Sequence, residues 1–340
     1  MRGLAAIVAL LARLPDGLLA RWDDALDRVR ARFRSDLPLA ALLLSPALAI
    51  LVIFGLAPLV GALYMSLFDY ARLTATFVGL EKYAQVLRDP DFWGSVRVTV
   101  YYVAGTVPAT MLFSFCVAYA LYRIAWGRGL FRTLYFLPYV TSAVAAAMVW
   151  RALLHHPEGA ANLVMARLGL PAQQWLIEGD GMLYLISGGW VAPDIGPSLA
   201  LCCVMLFDIW HGSGFMIVVF LAGLTAIPRE LEEAARIDGA GPFQVVRKVT
   251  LPLLSPTVFF LGIVGTIRAF QAFNSFYALT QRPDGALFRP TTNMILLIYE
   301  KLYREHDFGS GAAVATLFTA GVLLLTIIQW RMIGRKVHYS

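Results

Sequence analysis

The sequence predicts an all-α membrane protein with six transmembrane helices, and three observations predict it. Of 340 residues, 59% are hydrophobic and 15% charged, with a mean hydropathy of +0.67. Soluble domains carry roughly a quarter charged and half apolar residues. Six stretches nearly free of Asp, Glu, Lys and Arg approach or exceed the roughly 20 residues needed to cross a hydrocarbon layer about 30 Å thick. None alternates apolar and polar positions with the period of two of a membrane barrel strand.

The stretches fall at 37–68, 98–122, 133–150, 195–228, 249–281 and 308–330. The fourth is broken only by Asp208 and His211, the fifth only by Arg268. Drawn to helix ends, the spans are 37–68, 96–122, 133–154, 196–227, 252–280 and 309–331, within one membrane domain of residues 37–340. The runs 182–193 and 291–299 are too short to cross. Pro46, Pro58, Pro108, Pro138 and Pro256 lie inside the stretches. Membrane helices tolerate them because neighbouring groups re-satisfy the freed backbone.

Lys and Arg in the flanks set the orientation. The N-terminus, the 123–132 loop, the 229–248 loop and the C-terminal tail carry 17, against 8 in the alternate loops. Both termini are therefore predicted inside. The net charge of +6 then belongs to topology, and a nucleic-acid partner loses its support. Before the first span, residues 4–12 are apolar behind Arg2 but too short to cross, and no small-residue cleavage site follows. Trp22, Leu26, Val29 and Phe33 recur at helical spacing among Arg and Asp, predicting an amphipathic cytoplasmic segment within 1–36 that lies on membrane lipid.

Composition excludes disorder and a disulfide scaffold, since Cys116, Cys202 and Cys203 sit in apolar runs as packing residues. The external region 155–194 offers His155, His156 and Glu158, whose spacing fits no known metal site. A membrane-embedded enzyme needs carboxylates or histidines clustered at one face, and an ion-coupled carrier needs several intramembrane acids; only Asp208 qualifies.

A lone charge at a helix centre costs about 3 kcal/mol on insertion scales. Asp208 and Arg268 each lie about a dozen residues below the outer end of their span, roughly 17 Å deep. They are expected to pair or share a polar cluster, the alternative being that each separately lines a hydrated pathway. Gln271, Asn274 and Tyr277, at i, i+3 and i+6 of the fifth span, occupy approximately one face. Contacts to sugar hydroxyls and interhelical hydrogen bonds are both open to them.

Residues 227–256, IPRELEEAARIDGAGPFQVVRKVTLPLLSP, carry the most information. Pro228 opens a helix on which Leu231, Ala234, Ala235 and Asp238 share a face. Gly239 stops it, Pro242 opens a second, and Leu251-Pro252 leads into the fifth span. The product is a helix–turn–helix protruding from the bilayer, small along one edge and suited to another protein's groove.

Glu233-Ala234-Ala235, Gly239, Val249 and Leu251-Pro252, at their spacing, resemble the EAA loop of binding-protein-dependent ABC importer permeases, with Val249 where that family usually has Ile. Residues 37–340 are similar to the carbohydrate-uptake branch, of maltose and glycerol-3-phosphate type, first permease of the pair. The segments 77–83, 131–138, Ile209-Trp210 through Gly214-Phe215, Tyr277-Ala278-Leu279-Thr280 and Val337-His338-Tyr339 carry that resemblance. The chain departs from it at 281–285, where the branch is often glycine-rich, and in the longer 155–194 region, with Gly188-Gly189-Trp190 in the addition.

The resemblance implies a type I ABC importer permease whose 228–252 loop is a cytoplasmic EAA coupling loop. Glu233, Ala234, Ala235, Asp238, Gly239, Leu251 and Pro252 would serve ATPase coupling. Asp208, Trp210, Arg268, Gln271, Asn274 and Tyr277 are the pathway candidates. Partners would be a second permease subunit, two copies of an ATPase subunit and an external solute-binding protein. No P-loop pattern occurs, so ATP and Mg are expected on the ATPase and no cofactor on this chain. The expected solute is a sugar or polyol, with glycerol-3-phosphate or another small polar solute as the alternative.

Overall fold

The computed structural model describes residues 37–71, 74–124, 127–193, 195–281 and 288–333. The amphipathic segment expected within 1–36, the 282–285 stretch and the Val337-His338-Tyr339 ending lie outside them.

The chain divides into two units, residues 1–61 and 62–340. α1 (Leu37–Leu51) passes through a π-helical turn, Val52–Leu56, into α2 (Ala57–Met65), within which the first unit ends. Pro46 lies inside α1. Leu42, Leu43, Ile53 and Phe54 are exposed, as expected of a span facing lipid.

The second unit begins with a feature that corrects the all-α reading, an antiparallel hairpin of β1 (Phe68–Ala71) and β2 (Thr74–Phe77) pairing Phe68 with Phe77. After α3 (Glu81–Arg88), Asp89 caps α4 (Pro90–Arg123) by accepting the Asp91 N–H at 2.9 Å, with Pro90 in the first turn. Later, α9 (Leu199–Ala226) is capped by Ser198 on the Leu201 N–H at 3.1 Å. The two long helices pack along one another, and Phe207, Ile217, Phe220 and Leu224 on α9 are fully buried. Burying each such side chain is worth about 1.5–3 kcal/mol where the alternative is water.

Two of the expected spans are bent. The third consists of α5 (Arg128–Val140) and α6 (Ala143–Leu153), turned by 93°. Side chains cause the break: Thr141 Oγ1 donates to the Pro138 carbonyl at 2.6 Å, and Ser142 Oγ accepts the Ala145 N–H at 3.5 Å, restarting the helix. Short α7 (Ala160–Arg167) and α8 (Met182–Ser187) follow. The fifth span also departs from one helix. The stretch Pro242–Leu253 meets α13 (Ser255–Phe270) at 70°. It contains α11 (Pro242–Val245), a π-helical turn and α12 (Leu251–Leu253), after α10 (Arg229–Ile237). The chain breaks again after Phe270, because Asn293 Nδ2 donates to the Ala272 carbonyl at 2.7 Å, and resumes as α14 (Asn274–Thr280). After α15 (Met294–Tyr299), α16 (Phe308–Ile333) is the last helix. Among the described residues, four helical stretches are long and apolar enough to cross, and up to six if each bent pair is one span.

Candidate functional site

A cavity of about 220 Å³ opens between α4, α9 and the broken α13–α14 segment. On α4, Tyr102, Thr106 and Thr110 recur every four residues and so face it together. Asp208 and His211 enter from α9, and Arg268, Gln271, Asn274 and Ser275 from the other side. Asp208 Oδ2 accepts the hydroxyls of Tyr102 and Ser275, both at 2.7 Å. Arg268 makes no ion pair with it. Its guanidinium instead lies 5.1 Å from the Tyr139 ring centroid and 5.7 Å from that of Phe215. Of the two expected arrangements, the ion pair is not formed and the shared polar cluster is: the two charges line one cavity, each held by its own partners. Thr106 is buried, and its Oγ1 has no hydrogen-bond partner among the described residues. A buried hydroxyl left unsatisfied costs about 1–3 kcal/mol.

The remaining pathway candidates are placed differently. Gln271 and Asn274 line the cavity, but the break after Phe270 separates them, so Gln271, Asn274 and Tyr277 do not share a face of one helix. Tyr277 stacks on Phe273 at 5.3 Å and meets Tyr299 edge-on at 5.6 Å. Trp210 packs beside Trp150 at 5.6 Å, outside the cavity lining. Sequence reading missed Tyr102, Thr106, Thr110 and Ser275. The signal of the first three was present as a polar stripe at i, i+4 and i+8 of α4.

The 228–252 loop forms the expected pair of short helices. Pro228 precedes α10, Asp238 ends it, Gly239 takes φ +85°, and Pro242 begins α11. Leu231, Ala234 and Asp238 are exposed and Ala235 half-buried. Glu232 is the buried residue: it accepts from Thr250 Oγ1 at 3.4 Å and faces Arg236 at 3.6 Å and Arg123, the last residue of α4, at 4.0 Å. Glu232 thus ties the loop to a long helix, while Glu233 is exposed with no partner among the described residues. Leu251 is exposed, and Pro252 stands in the three-residue turn before the 70° bend.

A mostly helical chain with four to six apolar spans, a polar cavity between them and a helical loop beyond the apolar core defines an integral membrane transport subunit. Residues 106–339 match the family of binding-protein-dependent transport system inner membrane components, and the chain belongs to that family. It is 31% identical over 308 residues to a probable ABC transporter permease of Pyrococcus horikoshii, covering 88% of this chain and 98% of that one. It is 30% identical to the sn-glycerol-3-phosphate transport system permease UgpA of Agrobacterium fabrum, covering 88% and 96%. The trehalose/maltose transport system permease MalF of Thermococcus litoralis is 31% identical, covering 87% and 94%. Among solved structures, a chain of a bacterial ABC transporter that imports the acidic polysaccharide alginate superposes with a TM-score of 0.72 at 19% identity, covering 91% of this chain and 99% of that one. The fold is therefore that of an ABC importer permease, and the family is a transport component rather than an enzyme.

Proposed function

We propose that this chain forms half of the translocation pathway of an ATP-driven importer and passes a sugar or related polyol. The observation that carries the reading is the cavity of Tyr102, Thr106, Asp208, Gln271, Asn274 and Ser275, where hydroxyls, amides and a carboxylate converge. Hydroxyl-rich ligands both donate and accept, and such a lining answers both. Relatives named for trehalose/maltose transport agree with this solute class.

In this reading the chain crosses six times, with α5 and α6 as one span and the fifth crossing beginning at α13, so that both termini lie inside a bacterial cytoplasmic membrane. The 228–252 loop is then cytoplasmic and docks on a separate ATPase subunit that binds ATP and Mg. Glu233 supplies a carboxylate, Ala234 and Ala235 allow close approach, and Asp238, Gly239, Leu251 and Pro252 shape the turn and its return to the span. A second permease subunit completes the pathway, and an external binding protein delivers solute. Rigid-body motion of the loop would alternate access to the cavity.

One observation favours a second reading, a phosphate ester such as glycerol-3-phosphate: Arg268 reaches the cavity without a carboxylate partner. ATP-dependent uptake by the complete transporter in proteoliposomes, with its own binding protein, decides between them. Uptake of a neutral sugar is expected. Uptake of glycerol-3-phosphate alone would replace the first reading by the second.

A further inference from the structure

A larger cavity, about 450 Å³, lies at the heads of α4 and α9. It continues the inner cavity along the same helix faces. On α4, Ser95 and Val98 line the head cavity and Tyr102, Thr106 and Thr110 the inner one, all on one stripe. On α9, Ser198 and Leu201 line the first and Asp208 the second, again on one stripe. Eleven residues from Ser95 to Thr106 put the two about 16 Å apart along the helix. Between them Tyr102, bonded to Asp208 and packed against Phe276 at 4.7 Å, closes the passage.

We propose that the head cavity is a second solute station, a landing site for a neutral polyhydroxylated ligand of saccharide size just outside the Tyr102–Asp208 closure. The orientation and solute class rest on the function proposed above. The chemistry comes from the lining. Its charges cancel, with Arg97 and Arg289 against Asp91 and Asp180. Arg289 is already held by Asp91 at 3.1 Å and Glu300 at 3.0 Å. Arg97 and Asp180 have no ion-pair partner among the described residues, leaving one strong donor and one strong acceptor beside the Tyr101 ring. A neutral sugar can engage all three, whereas an anion would meet the Asp180 carboxylate. The volume falls within the range of about 300–1,000 Å³ typical of small-molecule sites.

Gly94 provides the test. It lines the cavity, and a Cβ added there meets nothing within 4 Å. In the assembled transporter with Cys116, Cys202 and Cys203 replaced by Ala, Gly94→Cys is labelled by a membrane-impermeant maleimide. Maltose, trehalose and glycerol-3-phosphate serve as probes. A neutral sugar is expected to slow labelling severalfold and glycerol-3-phosphate to leave it unchanged. Labelling unaffected by a sugar that the same transporter imports would overturn the station and spare the function. Slowing without any sugar import would keep the station and overturn the function, and slowing by glycerol-3-phosphate alone would overturn the neutral-ligand assignment. As a second variant, Gly94→Phe should fill the cavity and depress uptake severalfold while Gly94→Ala does not, since replacing a helical glycine favours the helix. Wild-type uptake in the Phe variant would also overturn the proposal.

Discussion

Asp208 and Arg268 face one cavity without pairing: Asp208 is bonded to the hydroxyls of Tyr102 and Ser275 at 2.7 Å, and Arg268 lies over the Tyr139 ring. Two charges brought to similar depth in neighbouring spans are thus satisfied by polar and aromatic neighbours instead of each other. That leaves the guanidinium, and the unused capacity of the carboxylate, directed at whatever passes.

This arrangement predicts additivity. Asp208→Ala strands two hydroxyls at a cost of about 1–3 kcal/mol, while Asp208→Asn keeps an acceptor and should be milder. Combined with Arg268→Gln, the effect of Asp208→Asn on thermal stability in detergent should equal the sum of the singles within about 0.5 kcal/mol. A double variant clearly more stable than that sum would reveal a direct charge–charge attraction.

Adjacent glutamates on α10 should behave oppositely. Glu232→Ala removes the carboxylate facing Arg123, Arg236 and Thr250, and should lower the melting temperature of the isolated chain by loosening the loop from α4. Glu233→Ala removes no contact among the described residues and should leave that temperature unchanged while ATPase association falls. Equal melting temperatures for both variants would contradict the division of labour.

Gly239 adopts φ +85° in open space, so a substitution there meets strain and no clash. Gly239→Val should cost about 1–2 kcal/mol locally, distorting the α10–α11 turn while the spans insert normally. Membrane-fraction yield should match wild type, with ATPase co-purification and solute uptake lost. Retention of both would remove the loop from the coupling pathway.

Lys82 holds the hairpin and the head of α16 together. It bridges Asp69 at 2.8 Å and Asp307 at 3.4 Å, and Asp307 Oδ1 also caps the Ser310 N–H at 3.0 Å. Burial disfavours the Lys82 ammonium, but the two aspartates outweigh it and raise its pKa. Burial likewise works against ionised Asp307, but Ser310 and Lys82 prevail and lower its pKa. Asp307 therefore stabilises the fold above the ordinary carboxylate range near pH 4, and its contribution disappears as pH falls through its depressed folded-state value. That of Lys82 is complete below about pH 10 and disappears as pH rises through its elevated folded-state value. Melting temperature against pH should fall at both ends, and Lys82→Met should flatten the alkaline loss. An unchanged alkaline limb would exclude Lys82 as its source.

The sequence made the straight spans legible because a charge-free run of sufficient length has few other uses. Bends escaped because composition does not say whether a hydroxyl will turn on its own backbone, as Thr141 and Ser142 do. The break after Phe270 was hidden for another reason, since its cause, Asn293, is distant in the chain. On α10 the turn residues Pro228, Gly239 and Pro242 acted locally and were read correctly. The burial of Glu232 depended on Arg123 of α4 and Thr250, a tertiary fact that the local pattern does not carry.

The orientation that places the loop on the ATPase side rests on 17 Lys and Arg in one set of flanks against 8 in the other. Ala172 and Gly241 are both exposed or half-exposed, and they fall in opposite sets. An added Cβ at Gly241 meets nothing within 4 Å, so a cysteine there is tolerated. In a chain with Cys116, Cys202 and Cys203 replaced, Ala172→Cys should react with an impermeant maleimide in intact cells, and Gly241→Cys only after the membrane is opened. The two positions bracket α9, so an odd number of crossings must separate them if the bent pairs and straight helices are counted as proposed. Labelling of Ala172→Cys only from inside would invert the chain, move the 228–252 loop away from any cytoplasmic ATPase and put the head cavity on the wrong side to receive solute. Labelling of both positions from one side would make the crossing count itself wrong.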